Sequence, residues 1–478
     1  MNGQLTFGHE SLDKALQATQ TTSQTEALLR LLAGENVFLS GLAGTGKTYV
    51  IEQFLKAVKG RRRVAVTAST GIAATILGGR TIHSWAGLGI SKLPFDPTQR
   101  TFSVNYPHFS RRVYDIRKTD TLIIDEISML SADMLDKVNA ACQYARGNGK
   151  PFGGLQVIFV GDFMQLPPVG KNEKFAFLSP SWKASNLSYC MLTEIKRAKD
   201  TRLQELLTMI SEGRSDEALA ILPELMENKH SPDKVYSTLY TTNRDVSSYN
   251  KKEQEKLDTE SRTYFNRVTI FDRNKAPKED TILKSNGIEP MITLKIGDTV
   301  MFTQNLDYAV NGTLGKVVGF ESINSPRVRL NSGSVVSVGQ ADRFNYDDLG
   351  SPIYCVSSIP LKLAYAITVH KSQGQTFDGV SMDLTRSFTP GLGYVALSRA
   401  RTFDDIVLLG YSEKTVSIDS LAQKFYDGVK ERAMKGRDEF VSNLDPYLHY
   451  AFIYGLTDSR PSGEPPTPLE HRDVEDLF

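Results

Sequence analysis

The 478-residue sequence lacks an excess of charge of either sign, a cysteine framework, and any apolar run long enough to cross a bilayer. Its 56 Lys and Arg face 55 Asp and Glu, a formal net charge of +1, so the basic surplus from which nucleic-acid binding is usually argued is missing. A DNA or RNA partner would therefore have to meet positive charge that is local. Cys142, Cys190 and Cys355 are odd in number and far apart, which excludes both a disulfide framework and a CxxC metal site and leaves reduced, buried thiols as the expectation. The N-terminus MNGQLTFGHESLDKALQ has no basic stretch followed by an apolar one and no Arg before Arg30, which argues against secretion and against a mitochondrial presequence. A soluble intracellular protein is expected, of a bacterial cytoplasm or a virus-infected host cell, with no membrane partner. With 40% hydrophobic and 23% charged residues the composition is that of a folded chain and not of a disordered or fibrous one. The length allows two to four domains at about 100 to 200 residues each.

What is present begins with short apolar runs separated by helix-like segments: NVFLS at 36–40, RVAVTA at 63–68, TLIID at 121–125 and LQVIFVGD at 155–162. Continuous β-rich runs of this kind predict strands of a parallel sheet buried on both faces, hence an α/β fold. A second set, VYSTLYTT at 235–242, GVSMDL at 379–384 and DIVLLG at 405–410, predicts a second α/β unit. Between them, 311–358 changes texture to NGTLGKVVGF, RVRL and SGSVVSV, the pattern of a small antiparallel barrel inserted in the second unit. Residues 456–478 hold four Pro between 461 and 468 and are expected as a flexible arm. That arm has six acidic and two basic residues, so the body of the chain carries +5 against its −4.

GLAGTGKT at 41–48 fits G-x-x-x-x-G-K-[ST] and stands between a predicted strand and a predicted helix, the context that the motif requires. Gly41, Gly44, Thr45 and Gly46 let backbone N–H groups curl around phosphates at a helix N-terminus, Lys47 reaches the β and γ oxygens, and Thr48 is placed for Mg²⁺. DEIS at 125–128 puts two carboxylates at the carboxyl end of a strand. Asp125 is then expected near Mg²⁺ and Glu126 beside the attacking water, unless the pair only caps the next helix. GDFMQLPPV at 161–169 supplies Gln165 as a candidate γ-phosphate sensor, with paired Pro residues that stiffen the segment.

Taken in order, these blocks resemble the petite integration frequency (PIF) family of DNA helicases in superfamily 1B. The match is carried by KPFGGLQVIFVGDFMQLPPV at 150–169, with QTEAL, GLAGTGKT, TASTGIAA at 67–74, TIHS at 81–84, LTEIKR at 192–197, LKIGDTVMF at 294–302, NGTLGKV at 311–317, AYAITVHKSQGQTF at 364–377 and YVALSRAR at 394–401. The resemblance implies two RecA-like parallel-sheet domains in tandem, at 1–190 and at 191–310 with 359–455, an SH3-like β-barrel at 311–358 and a wedge loop at about 87–110. It implies ATP and Mg²⁺ as cofactors, Gln24 as the reader of adenine, Gln373 and Gly374 as further nucleotide contacts, and Arg197 and Arg399 as arginines brought to the γ-phosphate from the second unit. It further implies that Thr67, Ser69, His83 and Ser84, and Thr368, His370, Lys371 and Ser372, face single-stranded and forked DNA. Trp85 would either stack on a base or lie in the core.

Two departures from the family pattern stand out: Ala198 follows Arg197 where Gln is usual, and GLG occupies 391–393 where Gly-Gln is usual. Neither touches a charged residue. The implied activity is ATP-driven 5′ to 3′ movement on single-stranded DNA with unwinding of duplex. An RNA helicase, a RecD-like recombination subunit and a nucleotide-gated scaffold stand as alternatives. The C-terminal VEDLF also resembles peptides that bind sliding clamps or other replication proteins, which would engage Leu477 and Phe478.

Overall fold

The computed structural model describes Thr19 and residues 21–442, apart from 71–72, 75–76, 89–94, 97–100, 103–108, 169, 171, 195–199, 232–233, 275, 286–287, 305, 310–311, 323–324, 331 and 347–351. The chain forms two compact units, one of Met1–Ser215, Thr389–Tyr394 and Val416–Phe478, the other of Asp216–Phe388 and Val395–Thr415. The tail that ends in Leu477 and Phe478, and Arg197, lie outside the described residues.

In the first unit the strands are β1 (Val37–Gly41), β2 (Val64–Ala68), β3 (Arg80–Thr81), β4 (Phe95–Asp96), β5 (Thr101–Phe102), β6 (Thr121–Asp125), β7 (Gln156–Val160) and β8 (Ser188–Leu192). Six of them make one sheet in the order β3-β2-β6-β7-β1-β8, and every pairing is parallel. The four runs predicted from apolar continuity are β1, β2, β6 and β7. All five residues of β1 are buried because helices cover both faces of the sheet. On one side Thr22–Leu32 and Lys47–Val58 pack Leu28, Leu31, Val50, Ile51, Phe54 and Val58 over the strands.

An aromatic cluster forms around Phe38, Phe163, Phe177 and Trp182, and it takes in Phe425 of the helix Ser420–Ser442. Phe425 stacks on Phe177 with centroids 4.1 Å apart and planes 6° from parallel. That packing corrects the expected boundary at 359–455: the chain returns to the first unit at Thr389–Tyr394 and again from Val416. The reach of the first unit to Ser215 likewise differs from the expected break at 190.

The signature segment 150–154 has a structural purpose in this unit. Phe152 is fully buried with φ +49, and its amide donates to Asn139 Oδ1 at 2.6 Å, while Arg146 Nε donates to the carbonyl of Gly153 at 2.6 Å. A left-handed aromatic residue is rare and persists only where its surroundings hold it. Here it fixes the angle at which the chain enters β7.

The second unit has its own parallel sheet, in the order β20-β9-β21-β22, from β9 (Ser237–Tyr240), β20 (Ala366–Thr368), β21 (Val380–Asp383) and β22 (Ile406–Gly410). Antiparallel strands occupy the chain between β9 and β20. They are β10 (Ser261–Phe265), β11 (Arg267–Ile270), β12 (Met291–Lys295), β13 (Thr299–Phe302), β14 (Leu314–Ser322), β15 (Ser325–Leu330), β16 (Val335–Ser337), β17 (Ala341–Tyr346), β18 (Pro352–Ser358) and β19 (Leu361–Leu363), a longer span than the 311–358 predicted, and among the described residues they form sheets of two, three and five strands. In Ser325–Leu330 Pro326, Val328 and Leu330 point inward while Arg327 and Arg329 point out, the period-2 alternation of a half-buried strand. Val328 and Leu330 join a core with Leu294, Val300 and Phe302. The three cysteines are buried and no two of them are joined by a disulfide, as their spacing predicts. Among the described residues no helix is long and apolar enough to cross a membrane.

Candidate active site

Because the first sheet is wholly parallel, the carboxyl ends of its strands share one edge, and the loops that leave that edge carry the motifs. The loop after β1 ends at Gly46, whose φ of +92 starts the helix Lys47–Val58. A Cβ at this glycine would sit 2.7 Å from Gln24 Nε2, so the glycine also lets that side chain lie against the loop. Gln24 is buried, and its Nε2 donates to the carbonyl of Thr45 at 3.2 Å. Lys47 Nζ folds back on the same loop, donating to the carbonyls of Gly41 at 2.7 Å and Leu42 at 3.1 Å. Gly44 has φ +86, and Thr48 lies half-buried in the first helical turn.

Asp125 closes β6. Burial, and next the charge of Glu126, push its carboxyl up to about 7, against the pull of the Glu126 amide and of Lys47. Its Oδ1 accepts from the Glu126 amide at 2.8 Å. Glu126 has φ +52, a left-handed conformation for a residue with a side chain. Two adjacent half-buried carboxylates beside a helix N-terminus with a hydroxyl in its first turn fit a divalent cation, which relieves both the desolvation and the repulsion. No group of three or more His, Cys, Asp or Glu gathers among the described residues, so a cation at this edge would draw most of its ligands from phosphate and water.

After β7, Asp162 is fully buried, and its Oδ2 accepts from Gln165 Nε2 at 3.2 Å. Lys47, Asp125, Glu126 and Gln165 thus all lie at or just beyond the carboxyl ends of β1, β6 and β7, at one edge of one sheet.

The residues expected along a DNA strand divide. Ser69 is half-buried, with its Oγ donating to the carbonyl of Glu126 at 2.9 Å and its amide to the carbonyl of Asp125 at 3.2 Å. His83 is half-buried and Ser84 exposed in the turn Ile82–Ala86. Thr67 does not reach the surface: it is fully buried, and its hydroxyl donates to the carbonyl of Ile123 at 2.6 Å within the sheet. Trp85 is in the core at 1% exposure.

In the second unit Thr368 is buried as the N-cap of the turn Val369–Ser372, and Ser372 is buried with its hydroxyl donated to the carbonyl of Val369. These two hydroxyls shape the turn that presents its neighbours. His370 is half-buried and Lys371 exposed. Burial holds both His83 and His370 below the usual imidazole range, so each ring enters the site neutral at pH 7. Gln373 is buried, and Gly374 turns the chain with φ +79.

Arg399 is 2% exposed. Its guanidinium donates to the carbonyl of Val395 at 2.8 Å, to the carbonyl of Gln375 at 3.2 Å and to Ser398 Oγ at 2.7 Å.

Motif spacing did not find Phe388. It is 58% exposed, and its ring lies parallel to that of His370, centroids 6.3 Å apart and planes 17° from parallel. The signal was a single aromatic in the polar stretch TRSFTP, which no periodicity marks.

Comparison with known proteins accords with this geometry. The family described as PIF1-like helicase matches residues 17–215, and the UvrD-like helicase C-terminal domain matches 363–402. The ATP-dependent DNA helicase Pif1 of Psychrobacter sp. is 35% identical over 483 residues, covering 87% of this chain and 72% of that protein. The crystal structure of Pif1 helicase from Candida albicans superposes with a TM-score of 0.72 at 31% identity, covering 86% of this chain and 99% of the other. That of Pif1 helicase from Bacteroides in complex with ADP-AlF3 and ssDNA superposes with a TM-score of 0.65 at 30% identity, covering 86% and 97%.

Proposed function

The chain belongs to the PIF1-like helicase family, and from that premise we propose that it is an ATP-dependent DNA helicase that moves 5′ to 3′ on single-stranded DNA inside the cell and parts the duplex ahead of it. The observation that supports this most is the convergence of Lys47, Asp125, Glu126 and Gln165 at one edge of one parallel sheet. Gln24 reads adenine from beneath the loop. Lys47 exchanges the carbonyls of Gly41 and Leu42 for the phosphates of ATP. Glu126, held in a left-handed conformation at the end of a rigid strand, takes the proton of the attacking water. Gln165 aligns with the γ-phosphate, and Arg197 and Arg399 offset the charge that develops on it.

Thr48 and Asp125 would hold Mg²⁺, which when bound neutralises charge on the phosphates. Arg399 has to give up its bonds to the carbonyls of Val395 and Gln375 to act this way, so hydrolysis follows a rearrangement and does not precede it. Ser69 ties the strand to the chemistry, since its bonds to the backbone of Asp125 and Glu126 pass any movement of the strand to both carboxylates. His83, Ser84, His370 and Lys371 contact the strand with little base selectivity, and Phe388 adds a stacking face. The hairpin of β4 and β5, with Phe95 opposite Phe102, supplies the wedge.

Strand displacement on duplexes with a 5′ or a 3′ single-stranded tail tests the reading. ATP-dependent unwinding of the 5′-tailed substrate is expected. Unwinding of the 3′-tailed substrate alone would reverse the polarity, and no unwinding of either would remove the function.

A further inference from the structure

Asp162 is the most completely satisfied carboxylate of the site, and two of its partners come from distant sequence. Oδ1 accepts from the Met164 amide at 3.0 Å and from the Tyr426 hydroxyl at 3.1 Å. Oδ2 accepts from Gln165 Nε2 at 3.2 Å and from the Tyr394 hydroxyl at 3.1 Å. Two oxygens offer about four acceptor positions, and all are filled.

Each tyrosine also touches the strand and loop that lead to the phosphate site. Tyr394 accepts from the Ala43 amide at 3.2 Å, inside the glycine-rich loop. Tyr426 is hydrogen-bonded to Ser40 of β1. A hydroxyl has one proton: with that of Tyr426 given to Asp162, the Ser40 hydroxyl donates either to Tyr426 or to the carbonyl of Gly161 at 3.0 Å, one at a time. Burial, and next the charge of Asp162, hold the Tyr426 phenol well above its ordinary range, so it stays a donor at any working pH.

The backbone supports the same connection. Gly391 has φ +80, and a Cβ there would lie 2.5 Å from the carbonyl of Gln165 and 2.6 Å from that of Met164. The returning segment therefore packs backbone to backbone against the residue expected to meet the γ-phosphate. Only glycine permits that approach.

We propose that Tyr426 and Tyr394 are positioning residues for ATP hydrolysis: through Asp162 they hold the Gln165 amide in the orientation that meets the γ-phosphate. The helix Ser420–Ser442 is thereby part of the hydrolytic unit and not only a cover for its core. The proposal rests on the role given to Gln165 above. A buried amide anchored at one end by a filled carboxylate cannot rotate without breaking a charge-assisted bond, which is how a supporting shell keeps a reacting group in register.

A double-mutant cycle of Tyr426→Phe and Gln165→Ala, read as kcat and KM for ATP at saturating single-stranded DNA, tests it. Phe425→Leu, which weakens the same helix without touching Asp162, is the control. All variants are assayed well below their unfolding midpoints. Tyr426→Phe should lower kcat about five- to tenfold with KM within about twofold, and should have no further effect once Gln165 is Ala. Phe425→Leu should keep kcat within about twofold of the parent at the same margin below its midpoint.

An equal loss from Tyr426→Phe in both backgrounds would overturn the proposal, as would a loss matched by Phe425→Leu. Unchanged kcat in Tyr426→Phe would overturn it too. Parental turnover in Gln165→Ala would instead remove the role of Gln165 itself, a failure told apart because it appears in the single variant.

Discussion

The two parallel sheets have the same texture in sequence and put it to different use. In the first, the loops after β1, β6 and β7 end in side chains that face the candidate site: Lys47, Asp125 with Glu126, and Gln165. In the second, the hydroxyls that follow β20 are turned inward, with Thr368 capping a turn and Ser372 bonded to the carbonyl of Val369. What reaches solvent there is His370, Lys371 and the ring of Phe388. The difference teaches that a motif letter is a chemical offer which the local backbone accepts or declines. Left-handed Gly46 and Glu126 turn the chain where it leaves the sheet edge, beside Lys47 and Asp125, whereas a four-residue helical turn consumes its own hydroxyls.

The sharpest way to break this contrast is at Glu126. Glu126→Gln should lower ATP turnover by about 10²- to 10⁴-fold while nucleotide binding persists, since only the proton acceptor is lost. Equilibrium binding of a fluorescent ATP analogue beside a phosphate-release assay checks both halves. Next in size is the C-terminal return of the chain. Phe425→Ala removes a ring stacked on Phe177 and edge-on to Trp182 and should cost about 3 to 5 kcal/mol of unfolding free energy, read by denaturant titration of the first unit's tryptophan signal. A cost near zero would mean that the helix only rests on the unit.

Smaller effects belong to the second sheet. Phe388→Ala should weaken binding of an oligonucleotide by roughly tenfold with an unchanged salt slope, because it loses stacking and no phosphate contact. Lys371→Ala should instead lower the salt slope by about one. The smallest effect concerns pH. Lys362 is held down to about 8, by burial and next by the charge of Lys371. Lys362 lies near enough to Lys371, the proposed phosphate contact, to feel its charge; charged below that value and neutral above it, Lys362 should add to the attraction for DNA at pH 7 and not at pH 9, so affinity should fall a few-fold across the interval. Lys362→Arg should flatten that dependence.

Much of the first sheet was legible in the sequence, because buried parallel strands read as continuous apolar runs and the glycine-rich loop has a rigid spacing. The antiparallel strands before residue 311 were not. Ser261–Phe265 alternates exposed and buried positions around a single buried Tyr264, too weak a signal to separate from a loop. The inward turn of Thr67 was hidden as well, since a threonine at a strand end looks the same whether it faces solvent or donates to the carbonyl of Ile123. Least legible of all was the set around Asp162. Tyr394 and Tyr426 stand 232 and 264 residues away in sequence, and neither carries any local mark of its partner.

The most direct measurement is a titration of ATP turnover with single-stranded DNA for Gln165→Ala and Phe388→Ala side by side. If nucleotide chemistry belongs to the edge of the first sheet and the stacking contact to the second, Gln165→Ala lowers the plateau and leaves the half-saturating DNA concentration in place. Phe388→Ala then shifts half-saturation upward by roughly tenfold and reaches the parental plateau. A lowered plateau in Phe388→Ala without a shift, or a shift in Gln165→Ala without a lowered plateau, would contradict that division.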